Sequence, residues 1–174
     1  MKTLRNLLTC SLFLVCCAAS ILAQSVQTDY DHNFNLNKFR TFGFAQSTRR
    51  AGDALAANPI NDRRIHDALN TQLLANGFAA GSQPDFWISY YVTARKGFNV
   101  QDNRVGILQR MGSVNVNEVT EGTLIVAFFD ADTRQEVWRG YVTGEIDPKD
   151  LDKDVNKSIA KLIQKFKKNQ AGQK

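Results

Sequence analysis

The chain has 174 residues, and its 22 Lys and Arg against 17 Asp and Glu give a formal net charge of +5. So modest an excess excludes a strongly basic nucleic-acid-binding surface, and the length suits one domain with a real core better than two. All three cysteines, Cys10, Cys16 and Cys17, fall near the N-terminus, which excludes a disulfide framework for the rest of the chain.

The opening MKTLRN carries Lys2 and Arg5, and the apolar run LLTCSLFLVCCAASILA from Leu7 to Ala23 follows it. Basic head, apolar centre and small-residue end are the layout of an export signal, with the expected cut after Ala23 and Ala19 or Ser20 as alternatives. As a membrane span the run is short and is diluted by Thr9, Ser11 and Ser20. A lipid anchor on Cys17 would need a small residue before the cysteine, whereas Cys17 follows Cys16 and Cys16 follows Val15. The expected organisation is therefore a signal peptide at 1–23 and a single domain at 24–174, its net charge reduced to +3 by loss of Lys2 and Arg5. No transmembrane segment is expected after the signal.

VQTDYD, Val26 to Asp31, alternates as a half-exposed strand does, and Asn33, Asn35 and Asn37 supply turn chemistry before a second, aromatic strand at about Phe39 to Ala45. These two strands are expected to be able to pair as a hairpin. Residues 46–57 read as a polar loop. Asn58 before Pro59, or Asn61, can start a helix over Asn61 to Asn76, with Ile65, Ala68, Leu69 and Leu73 on one face. Gly77 ends it, and Phe78 is expected to fold back on the last turn.

DFWISYYVTAR after Pro84 predicts a central strand with Phe86, Ile88, Tyr90 and Val92 on one face and Trp87, Tyr91 and Thr93 on the other. Between Lys96 and Glu121 two readings stand: a long hairpin with its tip near Met111 and Gly112, or a mobile loop. Thr123 to Phe129 is apolar on both faces, DADTRQ reverses the chain, and Val137 to Thr143 returns as the second strand of a hairpin. Asp147 and Pro148 cap a final amphipathic helix from Asp150 to Lys168, whose buried face is Leu151, Val155, Ile159, Leu162, Ile163 and Phe166. The terminal NQAGQK is expected to fray. Together these segments predict an α+β fold: a largely antiparallel sheet of four to six strands with two helices packed on one face.

Chemistry-bearing groups are sparse. Asp130 and Asp132 have the spacing of hard-cation ligands, yet Arg134 stands where a third oxygen belongs and the sharp-turn glycine is missing, so both read as turn residues. His32 reads as a turn residue and His66 as a solvated helix residue; neither has metal-ligand spacing. No nucleophile elbow, phosphate loop or dinucleotide fingerprint is present in the sequence, and a glycosidase-like pair from Asp31, Asp85, Glu118 and Glu145 has no support from spacing. No catalytic residue, metal or cofactor is expected. Two surface candidates remain: an aromatic patch of Trp87, Tyr91 and Phe98, and a lysine stripe of Lys153, Lys157, Lys161 and Lys165 suited to an anionic surface.

The order VQTDYDHNFNLNKFRTFGFA, LLANGF, PDFWISYYV, GTLIVAFFDADTRQEVWRGYV and a terminal helix resembles the family grouped as domain of unknown function 4136, exported bacterial envelope proteins that are often lipoproteins. The best-fitting pieces are Tyr30-Asp31, Lys38, Thr41-Phe42, Asn76-Gly77-Phe78, Pro84-Asp85, Gly122-Thr123, Asp130 with Thr133, and Trp138-Arg139-Gly140. The resemblance implies an α+β envelope domain and transfers no catalytic residue. The functional expectation is a non-catalytic accessory or binding protein of the Gram-negative periplasm or outer-membrane periphery, partnered by another envelope protein or the membrane surface. The alternatives are an envelope-polymer hydrolase and a peripheral protein using the lysine stripe.

Overall fold

In the computed structural model, residues 25–45, 58–102, 114–145 and 151–173 are described, with side chains of 96–102, 114–120, 145 and 151 left aside. The expected signal segment, all three cysteines, the expected 46–57 loop, the expected tip near Met111 and Gly112 and the expected Asp147-Pro148 cap lie outside them. The strands are β1 (Ser25–Tyr30), β2 (Thr41–Phe44), β3 (Ala79–Ala80), β4 (Phe86–Asp102), β5 (Val114–Asp130) and β6 (Glu136–Glu145). They form one sheet in the order β1-β6-β5-β4-β2-β3. The helices are α1 (Pro59–Ala75) and α2 (Leu151–Gly172), and a single 3-10 turn covers Leu36–Lys38.

The α+β class is as expected, with the sheet mixed rather than wholly antiparallel. β1, β6, β5 and β4 run antiparallel to one another in succession, but β2 pairs parallel with both β4 and β3. The expected hairpin between the first two strands does not form. β1 pairs along β6 at one side of the sheet, and β2 crosses to the other. The asparagine-rich connection drives the separation: Asp31 Oδ1 accepts from Asn33 N–H, Asn35 Oδ1 accepts from Asn37 N–H, and the 3-10 turn buries Leu36 and Phe39 in the core. Two anchored apolar residues carry the chain beneath the sheet where a tight reversal was expected.

α1 starts at Pro59, because Asn58 caps it through its Oδ1 to Asn61 N–H, while proline suits the first turn. Its other end has Gly77 at φ +87°, with Gly77 N–H bonding Leu74 O and Phe78 N–H bonding Leu73 O. That double bond pattern consumes the helix's orphan carbonyls and turns Phe78 back onto Phe86 and Phe166. β3 follows directly, a two-residue strand that the alanine-glycine composition did not announce.

Between Lys96 and Glu121 the hairpin reading holds for the described backbone, since β4 and β5 pair without a register break from Phe86↔Asp130 to Asp102↔Val114. A bulge between Phe128 and Phe129 gives β6 one extra residue at Val137 and turns Trp138 onto the core face.

One face of the sheet carries the core. Phe86, Ile88, Leu124, Val126, Phe128, Trp138 and Val142 meet Ile65, Leu69 and Leu73 from α1 and Ile159, Leu162, Ile163 and Phe166 from α2. Phe166 is the hub, its ring 4.8 Å from Phe128 and 5.3 Å from Trp138. Gly140 lets α2 come down: a Cβ there would lie 2.5 Å from Leu162 and 2.6 Å from the Trp138 ring. Tyr90 Oη donates to Asp62 Oδ1 (3.0 Å), and Arg64 pairs with Asp152 (2.5 Å), tying α1 to the sheet and to α2.

The expected fraying of the C-terminus is overturned. α2 continues to Gly172, and Gln170 near its end and Gln173 just past it bond the 3-10 turn and the residue before its cap: Gln170 Nε2 donates to Leu36 O, Gln173 Nε2 to Phe34 O, and Gln173 Oε1 accepts from Leu36 N–H. Asn169 Oδ1 accepts from the Trp138 indole. Buried backbone groups in the loop need partners, and these amides supply them.

Candidate binding face

Strand alternation sends every second residue to the face opposite the helices. Register places Gln27, Tyr141, Ile125 and Tyr91 in one row across β1, β6, β5 and β4, and Asp29, Arg139, Ala127 and Ser89 in the next. A further row holds Glu136, Phe129, Trp87 and Gly43. Among the described residues no helix covers this face. Ile125 and Ala127 are nonetheless buried, at 7% and 6% exposure, while Trp87, Tyr91, Phe129 and Tyr141 around them are half-buried. The aromatic side chains are thus the lid of their own small apolar layer, with their outer surfaces toward solvent.

Trp87 owes its posture to Gly43. A Cβ on Gly43 would stand 2.8 Å from the indole and 3.1 Å from Pro84 Cγ, so the ring lies across the β2 backbone where a side chain would otherwise project. Beside it, Arg139 pairs with Glu136 and donates to Tyr141 Oη at 3.4 Å. Those hydrogen bonds and the Glu136 charge raise the guanidinium's pKa above its already high value, so it is a permanent cation on this face. Arg139 Nε is buried without a hydrogen-bond partner among the described residues.

Of the sequence-predicted patch, the structure brings Trp87 and Tyr91 to one face. Phe98 stands in β4 opposite Glu118, at a position of the other parity, and its side chain is not among those described. Phe129, Tyr141 and the Arg139–Glu136 pair were missed as members. Their signal was present in the alternation of β5 and β6, but joining them to Tyr91 required the β4–β5–β6 register.

The lysine stripe lies where expected on α2. Lys153, Lys157 and Lys165 are exposed, Lys161 is half-buried, and the opposite helix side is sealed against the core. Lys167 departs from the stripe and sits 5.3 Å over the Phe78 ring.

A second polar cluster forms where β2, β4 and β5 end. Asp85 Oδ2 accepts from the N–H groups of Arg40 and Thr41, both at 2.8 Å, and Asp85 O accepts from Ala131 N–H. Asp130 Oδ2 accepts from Thr133 N–H and Oγ1–H, while Oδ1 meets Lys38 Nζ at 2.6 Å. Lys38 also reaches Asp132 at 4.0 Å and lies over the Phe34 ring. Asp130 and Asp132 are turn residues, as expected, but of different kinds: Asp130 is 1% exposed and organises the turn from within, whereas Asp132 is solvated. Burial pushes both Asp85 and Asp130 upward, but hydrogen bonds and the Lys38 charge outweigh it and hold both below the usual 3.8.

His32 lies tilted 4.2 Å from the Tyr30 ring in the turn after β1, and His66 lies 4.0 Å from the Phe44 ring with Asp67 at 3.4 Å. Among the described residues no three His, Cys, Asp or Glu side chains gather as a metal site, and no helix is long and apolar enough to cross a membrane.

The sequence profile described as Domain of unknown function (DUF4136) matches residues 26–166. The chain belongs to this DUF4136 family. No curated protein matches it. Its fold is similar to that of a PDZ domain protein from Parabacteroides distasonis, at 13% identity and a TM-score of 0.57 over 81% of this chain, which spans only 35% of that one. It also aligns with a PelC dodecamer subunit from Paraburkholderia phytofirmans, at 12% identity and a TM-score of 0.44, over 83% of this chain and 97% of that one. Several residues that carry the DUF4136 resemblance are the architectural ones just described. Lys38, Thr41, Asp85, Asp130 and Thr133 build the polar corner, Asn76-Gly77-Phe78 stops α1, and Trp138 with Gly140 seats α2.

Proposed function

We propose that this DUF4136 protein is a non-catalytic binding module, exported to the cell envelope, which holds another envelope protein against the aromatic face that no described helix covers. The observation carrying this reading is the half-buried ring layer of Trp87, Tyr91, Phe129 and Tyr141 over Ile125 and Ala127, facing away from the helices that seal the other side. Aromatic side chains with polar tips and a neighbouring arginine are the groups that most often anchor protein contacts. The two best-organised carboxylates support the non-catalytic reading. Asp85 and Asp130 are held ionised and are engaged by backbone, hydroxyl and ammonium groups, the reverse of a raised pKa suited to acid catalysis.

The test is retention of envelope proteins on immobilised protein, comparing Trp87→Thr with Tyr141→Thr combined against Lys153, Lys157, Lys161 and Lys165 all changed to Gln. Threonine keeps strand propensity. The expected outcome is loss of the retained partner with the aromatic substitutions and its preservation with the lysine ones. Retention indifferent to Trp87 and Tyr141 but abolished by the lysine changes would transfer the function to α2 and sink the face reading.

A further inference from the structure

The two sides of the sheet end differently. On one side β3 is two residues long, which gives a neighbouring strand little to pair with. On the other, β1 offers six residues, Ser25–Tyr30, with no proline, no lysine or arginine and no break in its register with β6. Those omitted features are the ones by which proteins ordinarily blunt an edge.

The phase of the edge is fixed. Asp31 N–H donates to Val137 O at 3.0 Å, so residues of odd number in β1 exchange backbone bonds with β6. Val26, Thr28 and Tyr30 therefore direct their N–H and C=O groups away from the sheet.

We propose that two copies of the chain join antiparallel through their β1 edges, about a two-fold axis at Thr28, into one continuous sheet. With that axis perpendicular to the sheet, both helix layers lie on the same side, and residues opposite one another must share a face. Centring on Thr28 pairs all three outward-facing residues: Thr28 with its own copy, and Val26 with the partner's Tyr30 in both directions. Centring on Gln27 leaves Tyr30 outside the pairing. On the aromatic face the Thr28 register sets Gln27 opposite the partner's Asp29, twice by symmetry, so the edge's sole charge never faces itself. The two binding faces then merge into a single floor.

Sedimentation of protein purified from cells expressing the whole chain, across the micromolar range, tests this. The expected result is a concentration-dependent dimer that Thr28→Pro returns to monomer with its circular dichroism unchanged, because the lost N–H points away from β6. Gln27→Asp, which sets carboxylates opposite one another, weakens the dimer and Gln27→Lys tightens it, each by about 2- to 30-fold in Kd. If Thr28→Pro unfolds the chain, the opposite signs of the two Gln27 variants decide alone. A chain monomeric at every concentration, a dimer whose Kd moves the same way or not at all with both Gln27 variants, or an edge that pairs only with a different protein would overturn the proposal.

Discussion

Asp130 shows how one carboxylate can hold a corner. Its two oxygens take up the Thr133 N–H and hydroxyl on one side and the Lys38 ammonium on the other, with the side chain at 1% exposure. Removing the carboxylate in Asp130→Ala takes the acceptor from both the Thr133 N–H and its hydroxyl, a loss expected to cost about 1.5 to 3 kcal/mol in urea unfolding; Lys38, at 41% exposure, adds little because water screens it. The linked effect is on acid stability. The folded pKa values of Asp85 and Asp130 lie below 3.8, so the unfolded chain binds protons first. Stability from these groups is complete above about pH 5 and is lost as pH falls through and below about 4. The thermal midpoint should drop more steeply between those values and pH 2 in the parent than in Asp130→Asn. Equal slopes would refute the linkage.

At the scale of elements, apolar spacing made α1, the seam of α2 and the β5–β6 hairpin legible, because each buries one regular face. It was silent where polar groups do the packing. Nothing in NQAGQK has helical apolar period, yet Gln170 and Gln173 hold the Leu36 turn through three bonds to its backbone and that of Phe34. Replacing both with alanine is expected to cost about 1 to 3 kcal/mol in total, and to speed hydrogen exchange at the Leu36 amide more than at Val126 in the sheet centre. Likewise, alternation identified β1 and β2 as strands but not their neighbours. Partner choice depended on Leu36 and Phe39 entering the core, which is a tertiary event. The aromatic face was half legible for the same reason: Trp87 and Tyr91 follow from β4 alone, whereas Tyr141 joins them only through two strand registers.

Among the described residues of the whole molecule, the sheet is a wall with one side sealed by the two helices and another that no helix covers. Among the described residues, β6 pairs with β5 only as far as Glu121, which faces Glu145, and β2 meets β4 only as far as Ile88. Among the described residues, Lys96 to Asp102 and Val114 to Thr120 pair only with each other. A two-stranded ribbon has marginal stability by itself, so its amides should exchange well before those of Leu124 to Phe128, which lie between two paired strands. Uniform protection along the whole of β5 would contradict that gradient.

The same ribbon has a mechanical consequence. Seven residue pairs at strand rise span about 23 Å, a cantilever rooted in a stiff wall. A rotation at its root would displace the Asp102 and Val114 end most, in proportion to that length, and leave the packed interior undisturbed.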